Sequence, residues 1–142
     1  MHIAIGSDHA GFRLKEAVRK HLLEQGHTVD DKGTYSDVST DYPGYAHAVA
    51  HDVSDKVAEL GIVICGSGNG VNMTANKHAG IRSALAWNVA IAELARQHNN
   101  ANVLALPARF ISVELALQIT DAFLNTAFEG GRHQRRVDAI DA

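Results

Sequence analysis

The chain of 142 residues is long enough for one domain with one hydrophobic core, and its charged fraction of 20% is that of an ordinary globular protein. Its net charge of −3 and its pI near 6.3 argue against a nucleic-acid-binding protein, which would carry a basic face. No apolar run approaches the roughly 20 residues that a membrane-spanning helix requires. The single cysteine cannot form an intrachain disulfide, and no secretion signal is visible. We therefore expect a cytoplasmic protein with neither a nucleic-acid nor a membrane partner.

Short β-rich runs alternate with helical patterns along the chain. In the first half, the hydrophobic pattern predicts strands at residues 3–5, 28–32 and 61–65, and helices at residues 12–25 and 45–60. Gly26 is placed to end the first helix, and Asp41-Tyr-Pro43 marks a turn in the irregular segment 33–44. In the second half, we expect strands at 81–86 and 102–106 and helices at 69–78, 88–99 and 112 to about 127. Asn88 and Ser112 are the predicted N-caps of the last two helices.

Strands and helices that alternate at these lengths build parallel strands joined by right-handed helical crossovers. The strand at 61–65 is apolar on both faces, as expected of a central strand that is covered on both sides. We predict an α/β fold, namely a three-layer α/β/α sandwich with a parallel sheet of about five strands, Rossmann-like or flavodoxin-like. One domain spans residues 1–142, with a basic C-terminal segment at 129–142.

Polar side chains follow two of the predicted strands. The first strand ends in Asp8 and His9, and the third ends in Cys65, Gly66 and Ser67. In open α/β sheets, ligands bind outside the carboxyl ends of the strands, where the strand order reverses. If the chain begins in the middle of the sheet, these side chains converge on one crevice. Such a set of titratable groups is typical of an active site.

A glycine-rich loop, Gly66-Ser-Gly-Asn-Gly70, follows the third strand. It is not a dinucleotide fingerprint, because Val71 stands where the last glycine belongs, and it lacks the lysine of a P-loop. The loop therefore offers closely spaced backbone N–H groups at a helix start, an arrangement that suits an anion. A tight turn required only for packing is the alternative interpretation.

Cys65 has two interpretations. A lone cysteine is more often a small core residue than a reactive group. At the end of a strand and before a helix, however, its thiolate is favoured. Such a thiolate could remove a proton next to a carbonyl, while the neighbouring N–H groups stabilise the resulting oxyanion.

Two further pairs of side chains are one helical turn apart. His47 and His51 lack the glutamate of a zinc helix, and no third ligand is evident nearby, so we expect no metal there. Arg132 and Arg136 would present both guanidinium groups on one face, which suits a phosphate. A solvated tail is the alternative interpretation of this segment.

The chain resembles the type B ribose-5-phosphate isomerases, and the related allose and galactose 6-phosphate isomerases, over nearly its whole length. The resemblance lies in Gly6-Ser-Asp-His-Ala-Gly-Phe12, Thr40-Asp-Tyr-Pro43, Cys65-Gly-Ser-Gly-Asn-Gly70, Ala75-Asn-Lys77, Gly80-Ile-Arg82, Arg96-Gln-His-Asn99 and Gly131-Arg-His-Gln-Arg-Arg136. It implies aldose–ketose isomerisation of a sugar phosphate through a cis-enediolate, without metal or cofactor, in a homodimer or dimer of dimers.

The resemblance also implies roles for individual residues. It makes Cys65 the base, because Val71 occupies the position at which some members carry a catalytic glutamate. It assigns proton movement among the substrate oxygens to Ser67 and ring opening to His98. The remaining implied substrate-binding residues fall into three sets: Asp8, Tyr42 and Asn99 for the sugar, Gly66, Gly68, Asn69 and Gly70 for the enediolate, and His9, Arg109, Arg132 and Arg136 for the phosphate.

The predicted topology places two of these residues far from the others. His98 and Asn99 precede the fifth strand and so lie at its amino end, whereas Asp8 and Cys65 lie at carboxyl ends. We therefore predict that His98 and Asn99 act on Cys65 of the partner subunit in a symmetric dimer with shared active sites. A hexose 6-phosphate isomerase and a non-catalytic sugar-phosphate-binding domain remain the alternative functions.

Overall fold

The computed structural model describes residues 1–142 and contains one five-stranded parallel sheet in the order β2-β1-β3-β5-β4. The strands are β1 (His2–Ser7), β2 (Thr28–Asp31), β3 (Leu60–Cys65), β4 (Ser83–Leu85) and β5 (Val103–Pro107). The helices are α1 (Phe12–Glu24), α2 (Pro43–Ser54), α3 (Asn69–Ala75), α4 (Val89–Asn99), α5 (Val113–Asn125) and α6 (Arg132–Asp138). The predicted α/β class and parallel sheet are confirmed. None of the helices has both the length and the apolar character needed to cross a bilayer.

The two faces of the sheet are covered by different helices, because successive strand residues point to opposite sides. On one face, Ile62, Ile64 and Leu104 pack with the apolar sides of α1, α4 and α5. On the other face, smaller residues such as Val63 and Ala105 pack against α2 and α3. These two cores make the predicted three-layer sandwich, and α6 packs on the outside against α4.

The strand order decides which strand ends meet. β1 and β3 are neighbours, as predicted, with Ser7 paired to Ile64. β5 then lies between β3 and β4, with Cys65 paired to Pro107, whereas a flavodoxin-like sheet has its strands in the order 2-1-3-4-5. The carboxyl ends of β1, β3 and β5 are therefore contiguous.

Several predicted element boundaries are wrong. α2 ends at Ser54 rather than near residue 60, because Lys56 takes a left-handed conformation (φ 61°) and Leu60 opens β3. α3 ends at Ala75, and β4 is confined to residues 83–85. The predicted caps are confirmed, since Asn88 accepts a hydrogen bond from the Ile91 N–H (2.9 Å) and Ser112 accepts one from the Leu115 N–H (3.1 Å).

A fully buried lysine fixes the segment after β2. Lys15 Nζ donates to both carboxylate oxygens of Asp31 (2.8 and 2.7 Å) and to Glu16 (3.0 Å). Asp31 in turn accepts the Gly33 N–H (2.9 Å), and the Gly33 carbonyl accepts the Ser7 N–H (2.8 Å) at the end of β1. The ion pair therefore supports the chain next to the pocket described below.

We expect Lys15→Met to lower the free energy of unfolding by about 2–3 kcal/mol, because it leaves the partly buried Asp31 carboxylate without its cation. Lys20→Met on the same helix is the matched control. Lys20 is exposed and lies 4.0 Å from Glu24, so the expected change is below about 0.5 kcal/mol. Urea unfolding measures both, and equal midpoints for the two variants would contradict the assignment.

Candidate active site

A cavity of about 490 Å³ opens where the carboxyl ends of β1, β3 and β5 meet. Its lining consists of Asp8, His9, Ala10, Tyr42, Cys65, Gly66, Ser67, Gly70, Arg109 and Phe110. The structure thus brings together the side chains that were expected to converge from the first and third strands. β5 contributes to the cavity as well, because its central position carries the following residues to the same edge.

Cys65 is the last residue of β3 and lies in the wall of this cavity, with 5% of its surface exposed. Its carbonyl accepts the Ala108 N–H (2.9 Å), which ties the end of β3 to the segment after β5. Val71, by contrast, is fully buried in the core between α2, α3 and the sheet. Cys65 is therefore the titratable side chain that β3 delivers to the cavity.

The glycine loop beside the cavity contains main-chain N–H groups without acceptors. The N–H groups of Gly66, Ser67, Gly68 and Gly70 donate no hydrogen bond to another main-chain group. Ser67 Oγ is used locally, because it accepts the Asn69 N–H (3.2 Å). Successive unpaired N–H groups in a loop of this kind can together bind an anion.

Two of the glycines are required by their surroundings. Gly68 has a φ of 76°, and a Cβ there would lie 2.5 Å from Leu85 Cδ1 and 3.2 Å from the Leu106 carbonyl carbon. A Cβ on Gly70 would lie 2.5 Å from two ring carbons of Tyr42. The loop therefore lies directly on β5 and beneath Tyr42, and a larger residue at either position would displace it.

The cavity also contains cationic and acidic side chains. Arg109 lies over Gly66, where a Cβ would be 3.1 Å from Arg109 Nη1, and no carboxylate lies within 4.0 Å of it. Asp8 is buried and accepts the Gly11 N–H (3.0 Å). The His9 ring is held through Nδ1, which lies 3.2 Å from the Thr40 nitrogen. An arginine without a counterion beside free N–H groups favours a negatively charged ligand.

Six predicted site residues are absent from the lining of this cavity. Gly68 and Asn69 belong to the glycine loop beside it, and the other four lie elsewhere. His98 and Asn99 end α4, and Arg132 and Arg136 lie on α6, which packs against α4. Asn99 borders a separate depression with Asn76 and Arg82. His98 and Asn99 therefore precede β5, at the amino end of that strand, as predicted.

Two residues beside His98 received no role from the sequence. The His133 ring stacks on the His98 ring with 4.3 Å between centroids, and Glu129 Oε1 lies 3.5 Å from His133 Nε2 and 3.8 Å from His98 Nε2. Burial, followed by the nearby His98 and Arg132, lowers the pKa of His133 below its ordinary value. The i, i+4 spacing of Glu129 and His133 was the available signal, but their contact with α4 required the fold.

Comparison with known proteins identifies the family of this fold and cavity. Residues 3–140 match the family model described as Ribose/Galactose Isomerase. The chain belongs to that family. It is 51% identical to ribose-5-phosphate isomerase B of Escherichia coli (strain K12), over 99% of this chain and 94% of that protein. The chain is accordingly an isomerase, as the resemblance implied.

Solved structures of ribose-5-phosphate isomerases have the same fold and align with nearly the whole chain. The ribose 5-phosphate isomerase of Thermotoga maritima superimposes with a TM-score of 0.97 at 52% identity, covering 99% of this chain and 97% of that one. Ribose-5-phosphate isomerase B of Mycoplasma genitalium, solved with bound ribulose-5-phosphate, gives 0.93 at 48% identity, covering 98% and 93%. The match therefore extends over the whole domain, including both groups of predicted site residues.

Proposed function

We propose that the chain interconverts ribose 5-phosphate and ribulose 5-phosphate by metal-independent proton transfer through a cis-enediolate. The observation that carries this proposal is the position of Cys65, in a cavity wall beside four unpaired main-chain N–H groups and an arginine without a counterion. A base next to an oxyanion-binding loop is the minimum that an enediolate reaction requires.

In the proposed reaction, the Cys65 thiolate removes the proton from C2 of the open-chain aldose. The C2–H electron pair forms the C1–C2 double bond, and the carbonyl oxygen O1 becomes the oxyanion that the loop N–H groups stabilise. Cys65 returns the proton to C1, while a proton passes from O2 to O1 with the help of the Ser67 hydroxyl. Every proton that leaves the substrate is thus replaced, and neither an oxidant nor a metal takes part.

The other cavity residues bind the ends of the substrate. Asp8 and Tyr42 bind the sugar hydroxyls, and His9 and Arg109 bind the phosphate in this proposal. The main-chain contacts of Asp8 with Gly11 and of His9 with Thr40 support these roles, because they fix both side chains before the substrate arrives.

We propose that His98 opens the furanose ring in the partner subunit's cavity, with Asn99, Arg132 and Arg136 of the same subunit completing that site. His98 and Cys65 lie at opposite edges of one sheet, so a second copy of the chain is required to bring them together. An exposed aromatic side chain supports contact between the cavity and a second copy of the chain, since Phe110 lines the cavity and yet is 75% exposed. A homodimer, or a dimer of dimers, would hold two identical shared sites.

Co-expression of two inactive variants tests the shared site. Cys65→Ala and His98→Asn homodimers lack one essential group in both sites, but their heterodimer has one site with both native residues. Random pairing makes half of the dimers mixed, so we expect about a quarter of the native activity to return. Activity no higher than that of the two variants assayed separately would contradict a shared site.

Substrate preference tests the proposed sugar. Assays in excess chelator compare ribose 5-phosphate with allose 6-phosphate and galactose 6-phosphate, because the family model names both ribose and galactose. We expect kcat/KM to favour the pentose by about 10- to 200-fold, the range that one carbon unit supplies. The reverse ranking would make the protein a hexose 6-phosphate isomerase with the same proton-transfer chemistry.

A further inference from the structure

Three histidine side chains meet on the surface near the ends of α2 and α3. His47 and His51 are one turn apart on α2, and His78 follows α3. Nδ1 of His47 lies 2.7 Å from Nε2 of His78, and the rings of His51 and His78 meet edge to face with 4.7 Å between centroids. We call these three residues the histidine cluster. The sequence offered no third ligand beside His47 and His51, and the fold supplies one from 31 residues further along the chain.

The histidine cluster has no counterion. None of its rings lies within 4.0 Å of a carboxylate, unlike the rings of His21, His98 and His133. Burial, followed by the proximity of His51 and His47, lowers the pKa of His78 below its ordinary value. Three imidazole rings thus face one another without a carboxylate partner, and imidazole nitrogen is a common metal ligand.

We propose that the histidine cluster binds one divalent first-row transition-metal ion, with Zn²⁺ as the reference ion, through one nitrogen of each imidazole ring. Imidazole ligands suit Zn²⁺, Ni²⁺ and Cu²⁺, and water completes the coordination. The site is separate from the cavity at Cys65, and no metal takes part in the isomerase mechanism proposed above.

Two of the three rings are already close to the geometry of a metal complex, whereas one nitrogen from each of the three rings cannot be chosen within 4.8 Å of one another. Two nitrogens bound to Zn²⁺ at 2.0–2.1 Å in tetrahedral geometry are about 3.3 Å apart, so the His47–His78 pair must open by about 0.6 Å. When the ion binds, the ring that donates the hydrogen bond in that pair becomes protonated on its other nitrogen instead. Both rings stay neutral, and no net proton is lost. The His51 ring is exposed, and it must rotate toward the other two rings to bring one of its nitrogens to the ion as the third ligand.

A second group of potential ligands has its donor atoms closer together, but its two rings are less suitably oriented. One nitrogen or oxygen each of His98, Glu129 and His133 lie within 4.8 Å of one another. However, the His98 and His133 rings are stacked with only 16° between their planes, so their in-plane lone pairs run nearly parallel and cannot converge on one ion. In the histidine cluster, the planes are inclined by 67° and 81°, which allows convergence.

Zinc titration of tag-free, chelator-treated protein tests the proposal. We expect one Zn²⁺ per chain with micromolar affinity by calorimetry, and a rise in Tm of about 5 °C at saturating zinc. His78→Ala and His51→Ala should each weaken binding by at least tenfold, about 1.4 kcal/mol, and abolish most of the rise in Tm. Glu129→Gln should bind zinc as the native protein does.

Three outcomes would overturn the proposal: no zinc binding by the native protein, unchanged affinity in His78→Ala, or loss of binding in Glu129→Gln. The Tm of each variant in chelator shows that it is folded, so failure to fold is distinguishable from failure to bind. Co²⁺ absorption of the native complex adds a direct measure, because an intense visible band indicates a low-coordinate nitrogen site. Isomerase activity in chelator should be the same for the native protein and His78→Ala.

Discussion

Cys65→Ala is expected to reduce kcat for ribose 5-phosphate by about 10³-fold or more, with little change in KM. The substitution removes the proposed base. General acid–base catalysis typically contributes a factor of about 10²–10⁴ to the rate, so the expected loss of kcat lies within or above that range. The residues proposed to bind the phosphate and the sugar, His9, Arg109 and Asp8, remain, so binding of the substrate should persist. Steady-state kinetics in excess chelator, supported by a direct titration with ribulose 5-phosphate, measures both quantities.

Two controls separate the chemistry of Cys65 from its packing. Cys65 is only 5% exposed, so its truncation leaves a small cavity and should lower stability by about 1 kcal/mol. Val63→Ala leaves a similar cavity two residues earlier on the same face of β3 and should keep kcat within a few-fold of native. Equal losses of kcat in the two variants would show that packing, rather than a proton transfer, explains the effect of Cys65.

His98→Asn is expected to reduce kcat by about 10²-fold or more and to change which step limits the rate. If His98 opens the ring, its loss makes ring opening slow, and the primary isotope effect with substrate deuterated at C2 should fall toward none. Cys65→Ala should instead keep a full isotope effect, because C2–H cleavage remains the slow step. Comparison of the two isotope effects therefore assigns each residue to its step.

The control for His98→Asn is His27→Asn. His27 belongs neither to the histidine cluster nor to the stacked pair of His98 and His133, and its Nδ1 lies 3.2 Å from the N-terminal amine. That variant should show native kinetics and a native isotope effect. An isotope effect that stays undiminished in His98→Asn would mean that His98 takes part in proton transfer or binding rather than in ring opening.

The alternation of strands and helices could be predicted from the sequence because the apolar pattern changes between periods of about 2 and 3.6 residues. The meeting of Asp8 and Cys65 followed from one further assumption, that β1 and β3 are neighbours. The end of α2 was missed, since apolar spacing continues past Ser54 although Lys56 turns the chain back. No local pattern in the sequence indicates that β5 lies between β3 and β4.

Long-range contacts explain the rest of what the sequence did not reveal. Lys15 shares the apolar spacing of Val18 and Leu22 on α1, which was a signal for burial, but its partner Asp31 belongs to another element. The stacking of His133 on His98 likewise depends on how α6 packs against α4. The histidine cluster needed the turn after α3 to bring His78 to α2. In each case the sequence pattern indicated one partner of the contact, and the fold was needed to identify the other.

Solvent hydrogen exchange during turnover tests the central claim, that proton transfer through an enediolate at Cys65 carries the isomerisation. Ribose 5-phosphate is converted by the native protein in D₂O with excess chelator, and deuterium at C1 of ribulose 5-phosphate and at C2 of recovered ribose 5-phosphate is measured over many turnovers. The proposed mechanism predicts that deuterium accumulates at both carbons with the native protein and at neither with Cys65→Ala. Rapid isomerisation without deuterium at either carbon would indicate a direct hydride shift and contradict the proposed role of Cys65.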